Sequence, residues 1–279
     1  AGLFILILAP EFYQPLRDLG TFYHAKQQAV GAAESIVEFL QTDVSKIRSG
    51  EQQLADSGAI TIEATDLTVF SPEGKPLLGP VSFAIHANQT TALVGPSGAG
   101  KTSLVNAILG FLPYEGSLRI NQSELKSLDL ASWRQVISWV GQNPLLVHGS
   151  IRDNVTLGKH NIADQDVQRV LEQSFAAEFV AKQGLDYQVS DRSGGLSVGQ
   201  AQRLALARAM LQDGRFWLLD EPTASLDARS ERLVMKGLSE QIQDTTTLIV
   251  THQLAPLQDV AQILVMQDGA LVQQGNFDT

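Results

Sequence analysis

The chain has 279 residues, 44% of them hydrophobic and 18% charged, which supports a substantial core and excludes disorder over most of its length. With 30 acidic against 20 basic residues the formal charge is −10, which argues against a nucleic-acid partner, because such binders carry a basic stripe. The absence of cysteine excludes a disulfide scaffold, a thiolate metal site and a cysteine nucleophile.

Ala1-Gly-Leu-Phe-Ile-Leu-Ile-Leu-Ala9 is an apolar run without the basic residues that precede a signal-peptide core. A spanning helix needs about 20 apolar residues. The run therefore reads as a short buried segment or as the last turns of a spanning helix that starts upstream. Pro10 and the long polar-faced helical pattern behind it favour the second reading. Leu16, Leu19, Tyr23, Ile36, Val37, Phe39 and Leu40 recur at helical spacing and predict helix over most of 12–55. The polar stretch 46–58 holds Gly50 and Gly58 and predicts a linker. Residues 1–45 thus read as the end of a membrane helix with its extension, and 59–279 as a separate domain. Both ends read as cut from a longer chain.

From Ala59 the texture changes to short β-rich runs: Ile60–Ile62, Leu67–Phe70, Val81–Ile85 and Thr91–Val94. Turn signals at Ser71–Gly74 and His86–Gln89 separate them. Helical patterns dominate from about Asp164 to Met210, and apolar strands return at Phe216–Leu219 and Thr247–Val250. Strands alternating with helices predict an α/β fold with a parallel sheet covered on both faces.

Gly95-Pro-Ser-Gly-Ala-Gly-Lys-Thr102 matches G-x-x-x-x-G-K-[ST] between a predicted strand and a predicted helix, Ser103–Leu109. Its glycines let backbone N–H groups approach phosphate oxygens, with the helix N-terminus behind them. Gly95, Pro96, Ser97, Gly98, Ala99, Gly100, Lys101, Thr102 and Ser103 are the candidate nucleotide contacts. Lys101 is placed for the β- and γ-phosphates and the Thr102 hydroxyl for Mg²⁺. A glycine-rich turn with an accidental Lys-Thr is the bland alternative. At average composition its chance in a chain this long is on the order of 1%.

Phe216-Trp-Leu-Leu-Asp-Glu221 is an apolar strand ending in two carboxylates. Asp220 is placed to hold Mg²⁺ through water and Glu221 to polarise an attacking water as general base. His252 follows the next strand and so lies on the same sheet edge, where it can meet a γ-phosphate. Gln142, after the strand-like Ile137–Val140, can contact the metal and the water.

Leu196, Ser197, Val198, Gly199 and Gln200 resemble the LSGGQ signature of ABC-transporter ATPases and are followed, as in that family, by a helical stretch, Ala201–Met210. The family's other elements appear in order: the loop at 95–102, Gln142, the strand at 216–221, a D-loop at Ser225, Leu226 and Asp227, and His252. The resemblance covers roughly 59–275. It implies a P-loop ATPase with an antiparallel β subdomain and a helical subdomain at about 133–210, and ATP and Mg²⁺ as cofactors. It further implies head-to-tail pairing, in which each ATP lies between one domain's phosphate loop and the other's signature. Trp133–Pro144, Ile151–Val155 and Val189–Ser193 are similar to the exporter branch, as is Pro10–Gly20 to the end of an exporter's last membrane helix.

More narrowly, Gln14–Lys26, Ser71–Lys75 and Leu196–Arg203 resemble one subunit of the heterodimeric exporters associated with cysteine and glutathione and with cytochrome bd assembly. The resemblance implies a second half-transporter subunit, the chain's own transmembrane domain, and a place on the cytoplasmic face of a bacterial inner membrane. Two departures stand out. Val198 replaces a glycine of the signature, and Ser71 stands where the family has an adenine-stacking aromatic, with Phe70 one position away. A soluble ABC ATPase acting on ribosomes or in DNA repair is a competing reading that the apolar start and the acidic balance disfavour. A weakly hydrolysing structural partner is another, which Glu221 and His252 oppose and Val198 favours.

Overall fold

The described residues of the computed structural model are 2–41, 49–55, 57–157, 159, 161–189, 195–224, 226–252 and 260–276, and they divide into two units, 1–46 and 47–279. In the first, α1 (Gly2–Gln41) is one continuous helix. It runs through Pro10 and Pro15, each of which removes an i→i−4 donor. Phe12, Phe22 and Leu40 are exposed on it. Among the described residues no helix is long and apolar enough to cross a membrane.

Helix was expected over most of 12–55; α1 covers the described part of it to Gln41, and the described residues 49–55 are non-helical. Nor are they a free linker. The Gly50 N–H donates to the Leu128 carbonyl at 2.8 Å, Gln52 N–H to Ser127 at 3.0 Å, and Asp129 N–H to Gln52 at 2.8 Å, while Leu54 is buried. A Cβ at Gly50 would stand 1.9 Å from the Ser127 carbonyl oxygen, so this docking requires a glycine.

In the second unit, β1 (Ile62–Phe70) pairs with β2 (Pro76–Ile85) and β4 (Tyr114–Ile120), and β4 with β5 (Ser123–Glu124), all antiparallel. The two runs read as separate strands at 60–62 and 67–70 are joined in β1. A bulge around Asp66, whose φ is 47°, shifts the register there and masks the alternation. The second sheet has the order β12-β11-β3-β10-β9-β6, made of β3 (Thr90–Val94), β6 (Ile137–Val140), β9 (Phe216–Asp220), β10 (Thr246–Val250), β11 (Gln262–Gln267) and β12 (Ala270–Gly275). Its neighbours are parallel except β12, which returns antiparallel on β11.

Helices cover both faces. Phe216 and Leu218 point into one apolar cluster, with α2 (Lys101–Ile108) and α3 (Leu130–Gln135), and Trp217 and Leu219 into another. The second cluster holds α4 (Ile151–Thr156), α5 (Asp164–Gln173), α6 (Ala177–Gln183), α7 (Val198–Gln212) and α8 (Ala228–Ile242). This period-two split makes Phe216–Leu219 of β9 apolar without a break, as a strand covered on both sides must be. Each such fully buried large side chain contributes about 1.5–3 kcal/mol. The helical subdomain expected from about 133 starts later among the described residues, because β6 belongs to the main sheet and α3 packs with α2 on the first cluster, while α4 to α8 pack on one another beyond it. A small ribbon, β7 (Gly149–Ser150) with β8 (Gln188–Val189), sits within it.

Candidate nucleotide site

The strand register brings distant residues to one edge. Val140 pairs with Leu219, Asp220 with Val250, and Val250 with Leu93. The residues that follow these strands, Gln142, Glu221, His252 and the loop after Val94, therefore emerge together at the carboxyl edge of parallel strands. Open α/β sheets bind their ligands at that edge.

A cavity of about 550 Å³ opens there, lined by Gly95, Pro96, Ser97, Gly98, Gly100, Lys101, Thr102, Ser103, Gln142, Asp220, Glu221 and His252, with Leu77 as its apolar wall. The size is in the range of small-molecule sites. A Cβ at Gly95 would lie 2.2 Å from the Met266 carbonyl oxygen, so the loop can leave β3 only through a glycine. Gly100 caps α2 with φ 97°, which turns the first N–H groups of that helix toward the cavity. Ala99, expected among the contacts, is buried in the core instead, and its N–H donates to the Pro96 carbonyl.

Lys101 Nζ donates to the carbonyls of Gly95 at 2.7 Å and Pro96 at 2.9 Å. Glu221 is held from two sides: Gln142 Nε2 lies 2.9 Å from its Oε2, and His252 Nδ1 lies 3.0 Å from its Oε1. Since the carboxylate can only accept, the His252 tautomer with the proton on Nδ1 matches this contact. Glu221 has φ 47°, a region that a residue with a side chain enters only where the surroundings enforce it. Burial, and after it the neighbouring Glu221 charge, push the Asp220 carboxyl above its ordinary 3.8, while Lys101 pulls it back.

The signature segment is not part of this cavity. Leu196 is buried, while Ser197 caps α7 and forms a capping box with Gln200: Gln200 N–H donates to Ser197 Oγ at 3.2 Å and Ser197 N–H to Gln200 Oε1 at 2.9 Å. Val198 is 56% exposed at the first position of the helix, with the Gly199 carbonyl accepting from Arg203 Nε. Asp227 receives Ser230 N–H and Oγ at the start of α8, and Leu226 packs against the second core cluster. Ser225 and the segment 190–194 lie outside the described residues.

Residues 78–224, more than half of the chain, match the family model for the ABC transporter. The chain belongs to the ABC transporter family. It is 54% identical over 276 residues to the glutathione/L-cysteine transport system ATP-binding/permease protein CydD of Haemophilus influenzae, a match over 99% of this chain and 47% of that protein. The protein of the same description from Escherichia coli is 53% identical over 279 residues, with 99% and 47% covered. The solved structure of a bacterial Atm1-family ABC exporter with ATP bound is 26% identical, with a TM-score of 0.77 over 95% of this chain and 47% of that one. The chain thus spans about half the length of the relatives it matches.

In this ABC ATPase fold, two residues at the site escaped the sequence reading. Leu77 lines the cavity, whereas Phe70 and Ser71, the positions considered for an adenine platform, do not. No local signal marks Leu77, because its place depends on where β2 passes the loop. The other is Gln202, described below.

Proposed function

We propose that this domain binds ATP with Mg²⁺ and hydrolyses it to drive an exporter. The observation that carries the proposal is the convergence of Lys101, Thr102, Gln142, Asp220, Glu221 and His252 on one cavity beside the N-terminus of α2. Backbone N–H groups of Gly95, Ser97, Gly98 and 100–103 and the Lys101 ammonium cradle the phosphates. Glu221 takes the proton of the attacking water, with Gln142 and His252 orienting its two oxygens. The His252 ring also reaches toward the γ-phosphate.

The Thr102 hydroxyl, the Gln142 amide and the Asp220 carboxylate would hold Mg²⁺, directly or through water. They fit it, being hard oxygen donors that share one cavity. When bound, the ion offsets charge on the β- and γ-phosphates.

The signature Leu196–Gln200 and the D-loop Ser225, Leu226 and Asp227 serve a second domain's ATP in this reading. In support, Ser197 and Val198 stand exposed at a helix N-terminus, and the signature lines no part of the chain's own cavity. The second domain is a CydC-like half-transporter subunit, and the membrane is reached through the chain's own transmembrane part, with 1–45 as its end, 46–58 as the connection and 59–279 as the ATPase. The relatives' names point to cysteine or glutathione as solute. A role in cytochrome bd assembly and a position on the cytoplasmic face of the inner membrane complete the proposal.

Phosphate release from the reconstituted pair tests it. Turnover should rise with cysteine or glutathione, and Lys101→Ala should abolish the share that comes from this chain's own phosphate loop. Vigorous hydrolysis by the isolated domain, independent of its concentration, would contradict the shared site.

A further inference from the structure

Gln202 lies in the first turns of α7 with its side chain fully buried, and its Nε2 donates to the Pro222 carbonyl at 2.8 Å. That partner fixes the amide orientation, because a flip would set Oε1 against the carbonyl oxygen, acceptor against acceptor. Among the described residues, Oε1 then has no donor. Buried amide oxygens are nearly always paired, so an orphan here calls for a physical reason.

The bond holds the chain next to Glu221. The Glu221 N–H donates to the Val250 carbonyl at 2.9 Å, which anchors it to the neighbouring strand. On the other side stands Pro222, which has no N–H, so its carbonyl is the one backbone group it can offer. Gln202 takes that carbonyl. One residue on, Thr223 Oγ1 donates to Glu231 Oε1 at 3.1 Å. The left-handed backbone of Glu221 is thus clamped between β10 and α7.

We infer that Gln202 is a positioning residue for Glu221, and that it joins the Glu221 carboxylate of one nucleotide site to the helix whose N-terminus serves the other. The inference rests on the proposed roles of Glu221 and of the signature. Only one end of the amide is engaged, and its bond links α7 to the peptide after Pro222, one residue beyond Glu221.

The test uses the full-length transporter with its partner subunit. Gln202→Met keeps the volume, removes the donor and also removes the orphan acceptor, so the fold should hold. It is expected to lower kcat about tenfold at the site of Glu221, with the KM for ATP changed by less than about twofold, since the phosphate loop is untouched. In a Glu221→Gln background it should cause no further loss at that site.

Gln202→Glu gives a readout that a merely structural role would not move. A carboxyl buried there holds its proton at low pH and can donate it to the Pro222 carbonyl. The kcat relative to the parent should be near one at about pH 6 and fall toward the Gln202→Met value by about pH 9. Arg203, next to it in the chain, and Glu221 and Glu231, which belong to the clamp, are common to parent and variant, so the ratio isolates the introduced group. A parental kcat for Gln202→Met, or a ratio for Gln202→Glu that is flat with pH, overturns the inference. If Gln202→Met does not fold, the Gln202→Glu ratio decides. If Glu221→Gln alone leaves turnover intact, the role of Glu221 is what fails. A slow Glu221→Gln beside a normal Gln202→Met refutes this inference only.

Discussion

His252 Nδ1 stands 3.0 Å from Glu221 Oε1, although 31 residues separate the two in the chain. Parallel pairing of β9 with β10 sets Asp220 against Val250 and so brings the ends of both strands together. Gln142 arrives from β6 on the other side of β9, and its amide meets the second oxygen of the same carboxylate. Glu221 is therefore oriented before any water reaches it, which is what a general base requires.

Glu221→Gln should lower turnover at this site by about 100-fold or more, in the range that general-base catalysis contributes. ATP binding should be retained, because the phosphate loop and Lys101 are unchanged. Phosphate release at saturating ATP, beside calorimetric titration of nucleotide, separates the two effects. Turnover at this site within about twofold of the parent, with the partner's site silenced, would remove Glu221 from the proposed role.

Lys101→Ala should weaken ATP binding by about 10- to 100-fold, the worth of a charge-assisted hydrogen bond. The two carbonyls that Lys101 now satisfies border an open cavity and can turn to water, so the nucleotide-free melting temperature should move by less than about 3 °C. Unchanged affinity in titration calorimetry would sink the assignment of the loop.

Asp220→Asn should raise the melting temperature of the nucleotide-free protein at neutral pH. The folded-state pKa of Asp220 lies above its ordinary 3.8, so its contribution to stability is fullest below that value and is lost as pH rises through the raised pKa. At pH 7 the ionised carboxylate, partly buried beside Glu221, is a net cost that the amide relieves. Because the group is partly solvated, the gain should be at most about 2–4 °C, and it should shrink as the pH is lowered toward the ordinary carboxylate range. With ATP and Mg²⁺ the order should reverse, because the amide is the poorer metal ligand. A lower melting temperature for Asp220→Asn without nucleotide would show that the carboxylate is better compensated than its burial implies.

The phosphate loop was legible because its chemistry is local: spaced glycines, a lysine and a threonine between a strand and a helix. Glu221 and His252 were placed on a common edge by strand order alone. What stayed hidden depends on long-range backbone pairing. The docking of Gly50 and Gln52 on residues 127–129 leaves no mark on a polar stretch that reads as linker. The hairpin of β11 and β12 did carry a signal that was not used, Asp268-Gly269, where both residues have positive φ as a tight two-residue turn demands. Gln202 reads as one more polar helix residue until the fold buries it under Pro222.

Val198→Gly should raise turnover at the site to which this chain lends its signature, in the proposed pairing the site of the partner's phosphate loop. Val198 is 56% exposed at the first position of α7, beside the cap Ser197, so its isopropyl group stands on the surface that would approach a γ-phosphate. Catalysis of phosphoryl transfer depends on donors about 3 Å from the developing charge, and a displaced helix N-terminus slows hydrolysis more than it weakens binding. The capping box between Ser197 and Gln200 fixes the helix start independently of residue 198, so the substitution should cost about 1 kcal/mol or less. Carrying Glu221→Gln in the same chain silences its own site and leaves the other as the source of phosphate. Val198→Ala then separates two causes. A gain with both alanine and glycine assigns the brake to side-chain bulk, and a gain with glycine alone assigns it to backbone freedom. An unchanged rate with both would mean that the valine points away from the nucleotide and that the departure from the family's glycine is silent.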